Sequence, residues 1–222
     1  MRRLFVCTVG WTETPIVKLV LRHGLKEDDY MLLIRPLDVD PKAEDTVKTV
    51  QQFISKSIGR DASSYVKQIR VDVLNFYSAL VRIREELERL SPAEIIVNLS
   101  GGMRALVLET LTAVLAYKTS QGNWENTSVE VELENRSGNI QIGGRIFGII
   151  SSPLREEMKD LLRELKKGDK RIGELAERFG VDLATAYRWV TRLRKEGVVE
   201  LRREGGRKGS RVHLTDEAAA II

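Results

Sequence analysis

Four times in its first 117 residues the chain sets a short β-rich run ahead of a longer helical one, and this alternation constrains the fold more than any other feature. Leu4 to Val9, Tyr30 to Arg35, Tyr65 to Val71 and Glu94 to Asn98 read as strands; Thr12 to His23, Pro41 to Ile58, Phe76 to Leu90 and Met103 to Tyr117 read as helices. Strands separated by helices of this length return by right-handed crossovers into a parallel sheet covered on both faces. The expected fold class is therefore α/β, with a Rossmann-like, mainly parallel sheet. After Gln121-Gly122-Asn123 the pattern changes to two strand-like segments, Val129 to Glu134 and Ile140 to Phe147. Their polar, glycine-containing connection predicts a hairpin closing the sheet edge. Ser151-Ser152-Pro153 then supplies a junction, with Ser152 as helix cap and Pro153 at the first helical position. The expected domains are residues 1–150 and 151–222.

From Pro153 the order is helix, helix, turn, helix, hairpin. Leu154 to Lys167 ends at Gly168 and Ile172 to Phe179 at Gly180, the residue type that accepts a left-handed helix stop. Asp182 can cap a third helix whose Ala186, Val190 and Leu193 form a buried stripe facing Leu175 and Ala176. The outward face carries Ala184, Thr185, Tyr187, Arg188 and Thr191, with Arg192 beside them. A third helix so presented enters a major groove in helix-turn-helix proteins. Val198 to Leu201 and Arg211 to Leu214 then flank a glycine-rich cationic tip that includes Arg203, Arg207 and Lys208, suited to phosphate or minor-groove contact. Together these features resemble a winged helix-turn-helix, and the charge agrees. Residues 1–152 carry 19 basic and 19 acidic side chains, residues 153–222 carry 17 and 13, and Ala186 to Arg211 carries nine against three. Double-stranded DNA is the expected partner of this end, through Thr185, Tyr187, Arg188, Thr191, Arg192, Arg203, Arg207, Lys208 and Arg211.

Composition excludes several classes. With 42% hydrophobic and 31% charged residues the chain can build a core. No apolar run approaches the roughly 20 residues of a membrane helix, and Met1-Arg2-Arg3 leads into no signal-peptide stretch, so a cytoplasmic protein is expected. Cys7, the single cysteine, lies in the first strand and precludes an intrachain disulfide or a cysteine-based zinc site. His23 and His213 stand at no metal-ligand spacing, and no metal or cofactor is expected.

Two loops carry the ligand-binding signal. Glu94 to Asn98 opens through Leu99, Ser100, Gly101 and Gly102 into a helix beginning at Met103 and Arg104. Helix N-terminal amides favour an anion, and Ser100 and Arg104 add donors suited to phosphate. The same Gly-Gly can instead serve tight packing. Neither Gly-x-Gly-x-x-Gly nor a Walker loop is present. The other loop, Thr8-Val9-Gly10-Trp11-Thr12-Glu13-Thr14, follows the first strand. The two converge if their strands are neighbours, because doubly wound sheets bind ligands at the carboxyl ends of their strands. Trp11 can stack on a base or pack as a lid on the sheet edge.

The Asn98-Leu99-Ser100-Gly101-Gly102-Met103-Arg104 turn, the Thr8-Val9-Gly10-Trp11 loop and the domain order resemble the CARF proteins, the CRISPR-associated Rossmann-fold regulators. The likeness is to the archaeal kind that fuses a CARF domain to a C-terminal winged helix, and it covers essentially the whole chain. The resemblance implies a homodimeric transcriptional regulator that binds cyclic oligoadenylate, with cyclic tetra-adenylate favoured. Thr8, Gly10, Trp11, Thr12, Glu13, Asn98, Ser100, Gly101, Gly102, Met103 and Arg104 are the candidate ligand residues. One alternative is a metal-independent ring nuclease, for which Ser100 and Arg104 are the nearest candidates; no histidine lies in either loop, Glu13 is the only nearby carboxylate, and no catalytic residue is assigned. Another is a dimeric DNA-binding protein without a ligand.

Overall fold

The computed structural model describes residues 2–59, 61–133, 137–151, 156–203 and 210–221, with only the backbone of residue 203. The chain divides into two compact units, Met1–Gly144 and Arg145–Ile222.

The first unit alternates β1 (Arg3–Thr8), α1 (Thr14–His23), β2 (Tyr30–Pro36), α2 (Pro41–Ile58), β3 (Val66–Val71), α3 (Phe76–Leu90), β4 (Glu94–Asn98) and α4 (Arg104–Gln121), then adds β5 (Thr127–Glu132) and β6 (Asn139–Gly143). The sheet order is β3-β2-β1-β4-β5-β6. All pairings are parallel except β5 with β6. A fold of this order reverses direction between β1 and β4, which makes their carboxyl ends the topological switch point. Leu4, Phe5, Val6 and Cys7 are all buried, as a central parallel strand covered on both faces requires. Burial pushes the Cys7 thiol far up and leaves it inert. Helices α1 and α2 cover one face through Ile16, Leu19, Val20, Val47, Val50 and Ile54, packed on Phe5, Cys7, Met31 and Leu33.

The hairpin lies at the predicted edge, but its second strand ends sooner. Gly144 turns the chain by donating its N–H to Thr127 O, and a Cβ there would lie 2.2 Å from Trp124 O. Arg145 to Phe147, expected as strand, therefore begins α5 (Arg145–Ser151), and the second unit starts six residues before the expected boundary.

That unit continues with α6 (Glu156–Leu165), α7 (Ile172–Phe179), α8 (Leu183–Lys195), β7 (Val199–Arg203), β8 (Ser210–Leu214) and α9 (Asp216–Ala219). Ile149, Leu161, Leu162, Leu175, Val190, Leu193 and Val212 share its core. Strands β7 and β8 pair antiparallel, and Lys170 bridges to Val212 beside them. The expected Ser152 cap, Pro153, Leu154, Arg207 and Lys208 lie outside the described residues, as does the Arg203 side chain.

Candidate functional site

Strands β1 and β4 are paired from Arg3↔Glu94 to Cys7↔Asn98, so the two loops do meet. They touch backbone to backbone. A Cβ on Gly10 would lie 2.6 Å from Gly102 N, one on Gly101 2.5 Å from Thr8 O, and one on Gly102 2.9 Å from Val9 O. Gly102 also has φ +82°, a left-handed conformation that only glycine adopts freely. These glycines are thus required by the packing of one loop on the other.

Several loop side chains face inward. Thr8 and Asn98 are fully buried. Thr8 Oγ1 donates to Asn98 O at 3.4 Å; Asn98 Nδ2 donates to Pro15 O at 3.2 Å, and its Oδ1 accepts from Ser100 N at 3.0 Å. Asn98 therefore holds the start of α1 and the β4 loop together. Ser100 Oγ accepts from Glu132 N at 2.8 Å, tying the loop to β5 and leaving its hydroxyl hydrogen to donate. Glu13 sits at the start of α1, where its carbonyl accepts from Ile16 and Val17, and Thr12 Oγ1 bonds Thr14. Trp11, Met103 and Arg104 stand at the surface. Met103 occupies the α4 cap position with no side-chain bond, which leaves the first-turn N–H groups of an 18-residue helix without a cap.

Next to the meeting point lies a cleft of about 520 Å³ at the carboxyl ends of β1, β2 and β4, within the size range of small-ligand sites. Val9, Gly10, Trp11, Gly102 and Met103 line one part of it; Arg35, Pro36, Asp38, Asp40 and Ala43 line the other. The second group was missed from sequence, because it straddles the end of the second strand, the short link after it and the start of the second helix, and no motif marks those positions. The available signal was position, since the loop after the second strand borders the switch-point crevice in doubly wound sheets.

A further group was missed on the other side of α1. Arg22 Nη2 meets the buried Glu130 carboxylate at 2.7 Å, His23 Nε2 meets it at 2.5 Å, and Lys18 Nζ lies 3.1 Å from Glu132. Arg22 also pairs with Glu132. Burial alone would raise the Glu132 carboxyl, but hydrogen bonds from Arg22 and Lys18 hold it below its ordinary range. This network fixes α1 against the strand that anchors Ser100. Its sequence signal was the i, i+4 pair Lys18 and Arg22 facing the i, i+2 pair Glu130 and Glu132.

In the second unit Asp182 caps α8 as predicted, accepting from Thr185 N and Thr185 Oγ1, each at 2.8 Å. Ala186, Val190 and Leu193 are buried, and Tyr187, Arg188 and Thr191 are exposed, Tyr187 by 58%. Arg188 Nη2 donates to Thr185 Oγ1 at 2.8 Å, which aligns it along the first turns of the helix. Arg192 pairs with Glu196 at 2.9 Å, and Arg211 Nη1 donates to Asp169 O at 3.0 Å. No group of residues able to hold a metal ion occurs among the described residues. Nor, among them, is any helix long and apolar enough to cross a membrane.

A doubly wound sheet with a cleft at its switch point, on one chain with a helix-turn-helix and wing, defines a Rossmann-like unit joined to a DNA-binding type of unit. Residues 3–143 match the family described as the Csa3 CRISPR-associated Rossmann-like domain, and the chain belongs to that family. Residues 159–220 match the winged helix-turn helix family. None of the curated proteins matches the chain. Among solved structures, the chain is similar to the homodimeric winged helix-turn-helix DNA-binding domain of Mb0332 from Mycobacterium bovis, with 25% identity and TM-score 0.29 over 35% of this chain and 67% of that one. It is also similar to Enterococcus italicus Csm6 bound to cyclic hexa-2′-fluoro-hexa-dAMP, with 12% identity and TM-score 0.45 over 89% of this chain and 56% of that one. An O-methyltransferase family protein from Burkholderia thailandensis matches with 12% identity and TM-score 0.31, over 95% of this chain and 49% of that one.

Proposed function

We propose that the chain is a ligand-responsive DNA-binding transcriptional regulator of a CRISPR system, whose first unit senses a cyclic oligoadenylate, cyclic tetra-adenylate by preference, as a homodimer. The observation that carries this reading is the cleft at the β1/β4 switch point on the same chain as an exposed, basic α8 face. In the proposed site Trp11 stacks on a base. The uncapped first turn of α4, with Arg104 and the Ser100 hydroxyl, takes phosphate oxygens. Gly10, Gly101 and Gly102 keep the loops close, Thr8 and Asn98 hold them from beneath, and Thr12, Glu13 and Met103 border the entrance. On DNA, Thr185, Tyr187, Arg188 and Thr191 face the major groove, while Arg192, Arg203, Arg207, Lys208 and Arg211 supply phosphate or wing contacts. Ligand changes DNA affinity only to the extent that it binds two arrangements of the dimer unequally.

Calorimetric titration with cyclic oligoadenylates of several ring sizes tests the reading, with duplex binding followed by fluorescence polarisation in parallel. We expect heat with cyclic tetra-adenylate, a loss of about tenfold or more in its affinity for Arg104→Ala, and a DNA affinity that ligand shifts. Absence of heat for every ring size would leave a DNA-binding protein without this effector.

A further inference from the structure

We propose that Arg188 reads a guanine on the major-groove edge of the bound DNA and that Thr185 positions it to do so. The proposal rests on the DNA-binding reading above and deepens it by naming the base.

The cations of α8 divide by position. Arg192 is committed to Glu196 at 2.9 Å, and Arg194 and Lys195 stand with it in the last turn. Arg188 is the one basic residue of the first two turns, the end of a recognition helix that meets base edges. It is exposed, and among the described residues no carboxylate pairs with it. Its guanidinium is nevertheless held. Nη2 donates to Thr185 Oγ1 at 2.8 Å, one turn back toward the helix start. The Thr185 hydroxyl in turn donates to Asp182 Oδ2 at 2.8 Å, and Asp182 Oδ1 accepts from Thr185 N at 2.8 Å. The hydroxyl therefore spends its proton on the helix cap and an oxygen lone pair on Arg188. A side chain held in place before the base arrives loses less freedom on binding.

What this fixed group can recognise follows from its donors. A guanidinium carries only N–H donors, set in a planar fork that bonds two adjacent acceptors, and Thr185 engages a single one of them. In the major groove guanine alone offers two acceptors side by side, N7 and O6. Adenine sets a donor beside its acceptor, cytosine shows a donor, and thymine shows one acceptor beside a methyl group. A phosphate also has paired oxygens. The bond to Thr185 decides between them, because it keeps the fork along the first turn, where base edges lie, and away from the last turn, where the other α8 cations stand.

In the test, the full chain and its Arg188→Gln variant select from randomised duplexes, with and without cyclic tetra-adenylate. The enriched duplexes are then titrated by fluorescence polarisation with single base analogues. We expect guanine to dominate one position of the wild-type consensus, and Arg188→Gln to shift that position toward adenine, whose N7 and 6-amino group suit a carboxamide. Replacing that guanine by adenine should weaken wild-type binding about fivefold to a hundredfold. 7-Deazaguanine, which lacks the N7 acceptor, should weaken it about threefold or more, whereas inosine, which keeps N7 and O6, should bind within about threefold of guanine. Thr185→Val keeps the shape and the backbone bond to Asp182, and should shrink the guanine-to-7-deazaguanine ratio by about threefold or more. A merely structural role would weaken both duplexes alike, so an unchanged ratio in Thr185→Val overturns the positioning. An Arg188→Gln consensus that keeps its guanine, with every duplex weakened alike and a shallower salt dependence, overturns the base reading, since Arg188 would then hold a phosphate. 7-Deazaguanine bound as tightly as guanine overturns it too, in a titration that needs only the wild type and so stands if a variant fails to fold. A wild type that binds no duplex in either condition removes the DNA-binding reading and the proposal with it. One that binds duplexes without a guanine preference leaves that reading standing and overturns the proposal alone.

Discussion

At the switch point Thr8, Asn98 and Ser100 bond to backbone groups of neighbouring segments, and the glycines beside them press loop on loop. On α8, by contrast, Tyr187, Arg188 and Thr191 stand out from a buried stripe of Ala186, Val190 and Leu193. The residue types are similar in polarity and opposite in use. In the first region most of the motif records how a backbone is held, and the groups left facing outward, Trp11, Met103 and Arg104, are joined at the cleft by others from β2 and the loop after it. In the second, the sequence pattern itself marks the face that is free.

The same substitution should act with opposite sign in the two units. Gly10→Ala places a Cβ 2.6 Å from a backbone nitrogen that cannot rotate away. It should cost about 2–3 kcal/mol and abolish ligand binding with it. Gly173→Ala, in the first turn of α7 with nothing within 4 Å of the new atom, should stabilise by about 0.5–1 kcal/mol. Thermal and chemical denaturation of both variants check this; a neutral Gly10→Ala would break the comparison.

A smaller effect separates holding from contacting. Asn98→Ala leaves Pro15 O and Ser100 N without their bonds at a fully buried position, and should cost about 1–3 kcal/mol of stability. Arg188→Ala removes an exposed side chain, so stability should stay within about 0.5 kcal/mol while duplex affinity falls by about 1–3 kcal/mol. Denaturation and polarisation titrations at several salt concentrations give both quantities. Unchanged DNA affinity for Arg188→Ala would mean that α8 is not the recognition helix.

What was legible in the sequence follows the same division. Alternation fixed the strand order's class, and the Asp182 cap, the Gly180 stop and the Ala186-Val190-Leu193 stripe placed α8, because each is a local signal of 3.6-residue or capping geometry. The β6 end was misread because Ile146 and Phe147 continue the apolar character of Ile140 and Ile142. Only the fold reveals that Gly144 must turn against Trp124 and Thr127. Arg35 and Asp38 were missed for a related reason. They join the site only once β2 is seated beside β1, and no pattern within their own segment marks a cleft.

The smallest expected effect is one of pH, and it again sets buried against exposed. Glu109, on α4, is 1% exposed with Oε2 unpartnered among the described residues; burial raises its carboxyl above the ordinary range, and Asp72 adds to the rise. Asp182 is held below its ordinary range by the Thr185 backbone N–H first and the Thr185 hydroxyl second. A carboxyl raised in the folded chain stabilises it below the unfolded value of about 4.3, and this contribution is lost as pH rises through the folded value. A lowered one contributes above about 3.9, and its contribution is lost as pH falls through the folded value. Glu109→Gln should therefore raise the thermal midpoint by about 2–4 °C at pH 8 and by little at pH 4. Asp182→Ala should lower the midpoint at pH 8 and do so less as pH falls toward 3. Midpoints measured at pH 3, 4, 6 and 8 should give slopes of opposite sign for the two differences from wild type. A Glu109→Gln gain equal at every pH would show that packing, and not the charge of a buried carboxylate, sets the cost of keeping an acid inside α4.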